Sequence, residues 1–369
     1  MALFGGKQSV IGLDIGKSSI VGVQLVGRPP SVAIKAFHEQ PLPEGVVFEG
    51  EVIDVESLAA ELKKFMRSSN MKGGLVHLGV GNQKVIVRHI EVPEMGEEEL
   101  RGAIEFQAQD YIPIPVDEAV LDFQVVARYT DEDGIAKQQV LLVAAQKEMV
   151  QRFLDAAKKA GVKVAGIDVS AFALVRALST PVSFVDQGAE AGQTLGVVNI
   201  SSSVSTLVVA RDGVPKFTRI INFAHDNLVG LLVEKQGVPP EDAEVLCQRI
   251  GLPGPLPADS ETYNPVTIQE VHESLAGAAE ELADELRRSL DYYQTQDYAA
   301  YVDELVLTGR GALVRNLDAF LSEYLNMQVV LGNPLLKIAE NRTGIPDEVL
   351  AAVAPRLAVA VGLALDEVD

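Results

Sequence analysis

The sequence predicts an α/β fold built as two similar lobes. Three observations carry that prediction. β-Rich runs alternate with segments of helical period along most of the chain. The length, 369 residues, exceeds what one core organises, since single cores stop growing near ~250–300 residues. Finally, an apolar run, a small-residue turn and a second apolar run at 12–25 (GLDIGKSSIVGVQL) return half a chain later at 196–209 (GVVNISSSVSTLVV).

The first of these hairpins contains GKSS, which resembles the end of a P-loop. A P-loop needs a glycine five residues before the GK glycine, and a helix after it. Ile11 stands at that position, Gly12 is one place off, and a β-rich run, 20–26, follows. Two β-rich runs around a short Gly/Ser segment read as a hairpin. Matching Gly12 to Gly196 puts Asp14 on Asn199 and Gly16 on Ser201 only with one inserted residue. Without the insertion Asp14 falls on Val198 and Ser18 on Ser202, and the pattern alone leaves both registers open.

The other elements follow in order. A strand is expected at 31–39 and a loop at 40–45. A helix at 55–68 carries apolar residues at Val55, Leu58, Ala59, Leu62, Phe65 and Met66, and a buried strand follows at 75–81. Residues 84–165 read as a unit of their own. In it, 85–92 alternates, and 97–110 is a helix whose acidic first turn (Glu97, Glu98, Glu99) suits a helix N-terminus. Tyr111-Ile112-Pro113-Ile114-Pro115 stops that helix. Strands are expected at 118–129, 138–145 and 162–168, and a helix at 147–160 capped by Gly161. The polar stretch 180–192 is a connector. Beyond it, 195–210 is β-rich around Ser201, Ser202 and Ser203, and Arg211-Asp212-Gly213 is a hairpin turn. Helices are expected at 224–235, 240–250, 267–291 and 317–325, a Pro/Gly-rich loop at 251–265, and short strands at 304–309 and 329–331. Gly309-Arg310-Gly311-Ala312 is a Gly-rich turn after a strand, opening a helix at Leu313. The apolar run 349–365, broken by Pro355-Arg356, reads as a buried helix.

Composition narrows the function. The net charge of −21 disfavours nucleic acid and anionic membrane surfaces as partners. Any bound phosphate then needs local backbone N–H groups, a metal or selected cations. One cysteine, Cys247, excludes an internal disulfide and a Cys-rich zinc site and suits a reducing cytosol. The histidines (His38, His77, His89, His225, His272) lack metal-site spacing. No signal-peptide pattern opens the chain, and no uninterrupted apolar run of about 18 residues occurs. The expectation is a cytoplasmic protein without direct membrane insertion. Two small-residue hairpin turns facing each other from similar lobes, with a Gly-rich turn beside them, would form a nucleotide clamp. The hairpin tips would hold phosphates and the Gly turn the adenosine, because glycine lets backbone N–H groups approach closely.

These hairpins and the Gly turn resemble those of the actin-like ATPase superfamily. The chain more closely resembles the PilM family, the actin-like, FtsA-related cytoplasmic proteins of the type IV pilus inner-membrane assembly complex. The stretches 100–118 (LRGAIEFQAQDYIPIPVDE), 140–148 (VLLVAAQKE), Ala160-Gly161-Val162 and 286–293 (LRRSLDYY) carry that resemblance. It covers nearly the whole chain, and the Tyr-Ile-Pro stretch is not shared by generic actin-like proteins. It implies an α/β actin-like ATPase fold, two lobes with duplicated βββαβα-type cores and an FtsA-type 1C subdomain. The division it implies is 1–83 as the first lobe core (1A), 84–165 as the inserted 1C-type unit, and 166–192 as the first lobe's return and connector. The second lobe core (2A) takes 193–223 and 301–345, its insertion (2B) 224–300, and a C-terminal helix, 346–369, returns to the first lobe.

The resemblance also implies site residues. Asp14 would hold Mg²⁺ through water. Gly16, Lys17, Ser18 and Ser19, with Asn199, Ser201, Ser202 and Ser203, would face the phosphates of ATP or ADP. Gly309, Arg310, Gly311, Ala312, Glu244 and Cys247 would face the nucleoside. Several positions depart from the family pattern. Asn199 replaces an acid, Ser201 a glycine, Arg310 a glycine and Cys247 a lysine, while Ser170 stands where relatives place an acid or amide. The expectation is a retained cleft with weak or lost hydrolysis, and Asn199 and Ser170 occupy the catalytic positions without the catalytic chemistry.

The implied partner is the N-terminal cytoplasmic tail of a PilN-like bitopic membrane protein, bound in a groove between the first lobe and the 1C unit. Ile86, Val87, Gln107, Tyr111, Ile112 and Pro113 are the expected contacts, and Ile112→Glu is expected to weaken binding with the fold intact. Motor ATPases and a platform protein are further expected partners, with recruitment to the inner face of the membrane. Two other functions fit less well. An active ATPase or small-molecule kinase needs a catalytic Asp in the second lobe, where Asn199 stands. An FtsA-like division filament conflicts with the Tyr-Ile-Pro stretch and the acidic end, 365–369, which lacks an amphipathic anchor.

Overall fold

A computed structural model describes residues 9–28, 30–179, 192–256, 263–296 and 298–366. The expected connector at 180–192 lies outside these except for Gly192.

The first lobe opens with three antiparallel strands, β1 (Ser9–Ile15), β2 (Ser19–Val26) and β3 (Ala33–Pro41). A small hairpin of β4 (Val47–Phe48) and β5 (Glu51–Val52) leads to helix α1 (Val55–Ser68). Asp54 caps α1 by accepting from the backbone N–H groups of Glu56 and Ser57. Leu58, Leu62 and Phe65 form its buried stripe. β6 (Leu75–Val80) then runs parallel to β1.

The next segment forms a separate three-stranded antiparallel sheet, ordered β7 (Val85–Pro93), β9 (Ala136–Gln146), β8 (Ala119–Thr130). Helix α2 (Glu97–Tyr111) covers one face of it. Leu100, Ile104 and Ala108 from α2 meet Ile90, Val140, Leu142 and Ala144 from the strands. α3 (Lys147–Ala160) turns away from this sheet. Its Met149, Phe153, Ala156 and Ala157 join the first-lobe core beside Leu58, Leu62 and Phe65. β10 (Val164–Val169) then completes the first sheet next to β6. The small unit's own sheet therefore ends at Gln146, earlier than residue 165, because the apolar face of α3 is spent on α1.

α4 (Ser170–Leu178) leads out of the first lobe. The second lobe repeats the plan with β11 (Thr194–Ile200), β12 (Ser205–Arg211) and β13 (Val214–Ile221). Three helices follow: α5 (His225–Gln236), α6 (Pro240–Arg249) and α7 (Pro265–Gln294). Then come β14 (Glu304–Thr308), α8 (Leu317–Leu325) and β15 (Val329–Leu331). β16 (Glu340–Asn341) returns to the edge of the first sheet at β3, and α9 (Asp347–Val353) and α10 (Ala358–Leu365) end the described chain. α8 opens at Leu317 and not at Leu313. Gly311–Leu313 is a single 3-10 turn, and Asn316 takes a left-handed backbone (φ 61°) between the two. Likewise 349–365 is not one helix, since a 3-10 turn at Ala354–Leu357 contains Pro355, which cannot donate the helical hydrogen bond.

The sheet orders are β10-β6-β1-β2-β3-β16 and β13-β12-β11-β14-β15. Read from the hairpin outward, the five core strands match in order and in parallel or antiparallel sense. Ile15 pairs with Ile20 and Ile200 with Ser205, so Ser9–Ile15 superposes in register on Thr194–Ile200. Asp14 therefore corresponds to Asn199 with no inserted residue, and Gly12 corresponds to Val197 rather than Gly196. The glycines differ in purpose. A Cβ on Gly12 would lie 2.0 Å from the Ala360 carbonyl oxygen of α10, and one on Gly196 would lie 2.7 Å from Leu305 Cδ1.

α4 and α10 lie between the sheets. Ala171, Leu174, Val359 and Leu363 pack with Val197, Val208 and Val306 in a core that both lobes share. Gly362 permits the close contact, because a Cβ there would sit 1.9 Å from the Ala173 carbonyl oxygen. By length and mean hydropathy (19 residues, 1.8) the stretch Asp347–Leu365 could cross a membrane, yet 67% of it is buried inside the protein.

Candidate functional site

The C-terminal end of β1 and the turn into β2 bring Asp14, Gly16 and Ser19 to the mouth of a cleft between the lobes. Asn199, Ser201, Ser202 and Ser203 reach it from the matching turn after β11. The two turns close alike, with Gly16 N–H bonding Ser19 O at 3.0 Å and Ser201 N–H bonding Val204 O at 3.2 Å. Gly309 and Arg310 enter from the end of β14, and Ser170 from the start of α4. Gly309 has φ +83°, and a Cβ there would lie 2.5 Å from Asn199 Oδ1, so only glycine suits this turn. The enclosed space is about 90 Å³, small beside the ~300–1,000 Å³ of pockets that take whole ligands.

The cleft is narrow because side chains cross it. Ser18 Oγ and Ser202 Oγ, at the two turn tips, are 2.5 Å apart. Lys17 Nζ donates to Asp226 Oδ2 of the second lobe at 2.5 Å. Arg310 donates to Glu39 Oε1 on β3 at 3.0 Å, and Arg356 donates to the same oxygen. Burial, and then the Glu39 carboxylate, push the Asp14 carboxyl up to about 6.

The nucleoside side differs from expectation. Burial alone would raise the Glu244 carboxyl. The hydrogen bond and charge of His225, with Arg310 and Gln248 behind them, instead hold it at about 2. His225 Nε2 donates to Glu244 Oε2 at 2.6 Å and Gln248 Nε2 to Oε1 at 2.8 Å, so both oxygens are engaged. Cys247 is not a cleft residue. It is fully buried in the second-lobe core, and burial pushes its thiol up to about 12. Gly311 and Ala312 are also buried, Gly311 against Ile200, where a Cβ would lie 2.3 Å from Cγ2. Of the expected nucleoside contacts, Gly309 and Arg310 line the cleft and Glu244 reaches its edge through Arg310, 4.0 Å away. Glu39, Asp226, His225 and Arg356 were not expected here. Only Arg356 had a sequence signal, as a cation interrupting an apolar run.

A second concavity shares Val80 with the cleft and lies between the small sheet and the first lobe. The face of the small sheet opposite α2 presents Val120, Gln124, Leu141 and Val143. Ile167, Phe172 and Arg176 of the first lobe face them across a cavity of about 310 Å³. A further space of about 870 Å³ adjoins it and shares Gln124, Leu141, Phe172 and Arg176. Arg176 is fixed by Asp168 Oδ2 at 3.0 Å and Asp366 Oδ1 at 2.8 Å.

The six expected partner contacts do not form one open groove, since Ile86, Tyr111 and Ile112 meet in the small unit's core. Ile86 and Val87 line a different crevice, against Thr218 and Arg219 of β13. Gln107 is exposed on α2, and Tyr111, Ile112 and Pro113 end that helix on the side of the sheet away from the groove. Ile112 is 3% exposed and belongs to the small unit's core. Charge at Ile112 would therefore damage the fold rather than leave it intact.

Two duplicated sheets with paired hairpin turns around an interlobe cleft define a protein of the actin-like ATPase fold. MreB5 of Spiroplasma citri bound to ADP shares that fold at 12% identity (TM-score 0.55, covering 98% of this chain and 96% of that one). So does ethanolamine utilization protein EutJ from Carboxydothermus hydrogenoformans at 13% identity (TM-score 0.53, 98% and 90%). The chain belongs to the type IV pilus assembly protein PilM family, whose model matches residues 12–368. It is also similar to a solved chain of the PilM-PilN type IV pilus biogenesis complex, at 27% identity and TM-score 0.79 over 98% of each chain.

Proposed function

We propose that the protein is a cytoplasmic scaffold of a type IV pilus assembly platform, or of a related secretion or DNA-uptake machine. In this reading it binds the N-terminal cytoplasmic tail of a PilN-like bitopic membrane protein and is recruited to the membrane through it. Motor ATPases and a platform protein are further proposed contacts. Family membership and the likeness to a PilM–PilN complex support this reading. The observation that carries it is the groove between the small sheet and the first lobe. Its lining is mixed: Val120, Leu141, Val143 and Phe172 are apolar, Asp122 and Gln124 are polar, and Arg176 is paired with Asp168. Extended peptides bind such sites by seating a few apolar anchors beside a polar contact that fixes register.

The interlobe cleft is proposed to bind ATP or ADP with Mg²⁺. Asp14 would face the metal, and the backbone N–H groups around Gly16, Ser18 and Ser202 the phosphates. The metal would offset the phosphate charge beside Asp14 and Glu39. Asn199 supplies a carbonyl oxygen where a carboxylate would polarise a water, so hydrolysis is proposed to be slow or absent.

The test is a fluorescence-anisotropy titration of a labelled tail peptide into the full-length protein. Micromolar or tighter binding is expected. Val120→Glu, at a residue 44% exposed, and Phe172→Ala should each weaken it about tenfold or more, the effect of losing ~1.4 kcal/mol. Unchanged affinity in both variants would remove the groove from the account.

A further inference from the structure

The interlobe contacts form a pattern of their own. Lys17 belongs to the first lobe and is held by Asp226 of the second, at 2.5 Å. Arg310 belongs to the second lobe and is held by Glu39 of the first, at 3.0 Å. The exchange is reciprocal, with each lobe giving one cation and one carboxylate. Between the pairs, the hydroxyls of Ser18 and Ser202 meet at 2.5 Å. Arg356 also bonds Glu39, and it sits on the 3-10 turn where the chain passes back to the first lobe. At that turn the Pro355 carbonyl accepts from Gly309 N–H, at 2.9 Å, and from the Thr308 hydroxyl, both of the second lobe.

We propose that these pairs are a built-in clasp that closes the cleft without a nucleotide, and that a polyphosphate binds only by exchanging them. The proposal rests on the reading of this cleft as a nucleotide site and not on the partner groove, and the distance measurement tests the clasp apart from that reading. Lys17 lies in the first turn and Arg310 lines the cleft, and a polyphosphate would recruit such groups. Both are already neutralised from across the cleft. The side chains are only 33% and 39% exposed in the Lys17–Asp226 pair and 26% and 20% in the Arg310–Glu39 pair. Screening by water is therefore incomplete, and a carboxylate left behind without its cation is costly. A bare phosphate chain would add negative charge next to Asp14, Glu39 and Asp226 while removing Lys17 from Asp226. Exchange becomes favourable when a divalent cation enters with the phosphates. The clasp thus acts as an autoinhibitory contact, since the closed state exists beforehand and a nucleotide competes with the protein's own carboxylates for it.

The experiment measures the lobe separation directly. Spin labels are placed at Lys63→Cys on α1 and Glu281→Cys on α7, both exposed, while native Cys247 is fully buried and should not take label. Pulsed electron resonance then gives the distance distribution in the full-length protein without nucleotide. The parent should show one narrow distribution. Asp226→Lys should shift it outward and raise the open population several-fold. Combining Lys17→Asp with Asp226→Lys should restore the narrow distribution, which an unfolding artefact would not. In a separate Mg-ATP titration, Asp226→Asn, which frees Lys17, should bind several-fold more tightly than the parent. Identical distance distributions in parent, reversal and swap would overturn the clasp. So would an absence of any gain in Mg-ATP affinity for Asp226→Asn.

Discussion

Asp14 carries a free-energy cost that the cleft retains. Its folded-state pKa of about 6, against an ordinary value of 3.8, means that the folded protein binds a proton between those values while the unfolded chain does not. Stability therefore loses this contribution as pH rises through 6, and the penalty is absent below the ordinary value. Removing the charge should help. Asp14→Asn is expected to raise unfolding stability at pH 8 by up to about 3 kcal/mol, with the gain fading as pH falls from 6 toward 4. Urea unfolding at pH 8 and pH 4.5 checks the sign. The same variant should lose Mg-dependent ATP binding in calorimetry, as expected where a desolvated carboxylate is kept for a ligand. At Asn199 the missing charge is catalytic in kind. Phosphate release by the parent should be close to background, and Asn199→Asp should raise it, within a ceiling of about 10²–10³. Brisk turnover by the parent would contradict a degenerate site. The departures at Asn199, Ser201 and Arg310 were legible from the sequence because each changes a residue type inside a short motif. Glu39 and Asp226 were not, because their role comes from Arg310 and Lys17, which lie far away in the chain.

At the scale of elements, alternation fixed the strands and left their faces ambiguous. β9 reads Val140-Leu141-Leu142-Val143-Ala144-Ala145, apolar at every position. In this central strand period two gives no sign of which side is core, whereas β8 alternates, with Leu121, Phe123 and Val125 toward α2 and Val120, Asp122 and Gln124 exposed on the groove side. The Tyr-Ile-Pro corner reads in the sequence as a sharp helix stop, but Ile112 lies in the core beneath α2. Ile112→Glu should cost several kcal/mol, the penalty for an unpaired buried charge. It should also lower the cooperativity of unfolding followed by circular dichroism. α10 makes a different prediction. Its glycine at 362 meets α4 backbone with no room for a methyl group, and backbone cannot step aside as a side chain can. Gly362→Ala should destabilise by about 1–3 kcal/mol or more, read as a lower urea midpoint. An unchanged midpoint would show that α4 and α10 pack less closely than described.

The whole molecule is a duplicated scaffold whose lobes share one core through α4 and α10. The duplication was visible in the sequence as a repeated pattern, but its register was not. The tempting match of Gly12 to Gly196 fails because the two glycines relieve different crowding, one against α10 and one against Leu305. Strand pairing settles it, and with it the correspondence of Asp14 to Asn199. On the proposed function, the central question is which concavity receives a PilN-like tail. Hydrogen–deuterium exchange of the full-length protein, with and without the tail peptide, locates that site without any substitution. Binding in the groove should slow exchange in residues 120–124, 141–145 and 167–172, with 85–88 and 106–113 unchanged. Protection confined to 85–88, at the crevice against β13, or to 106–113, at the end of α2, would contradict it.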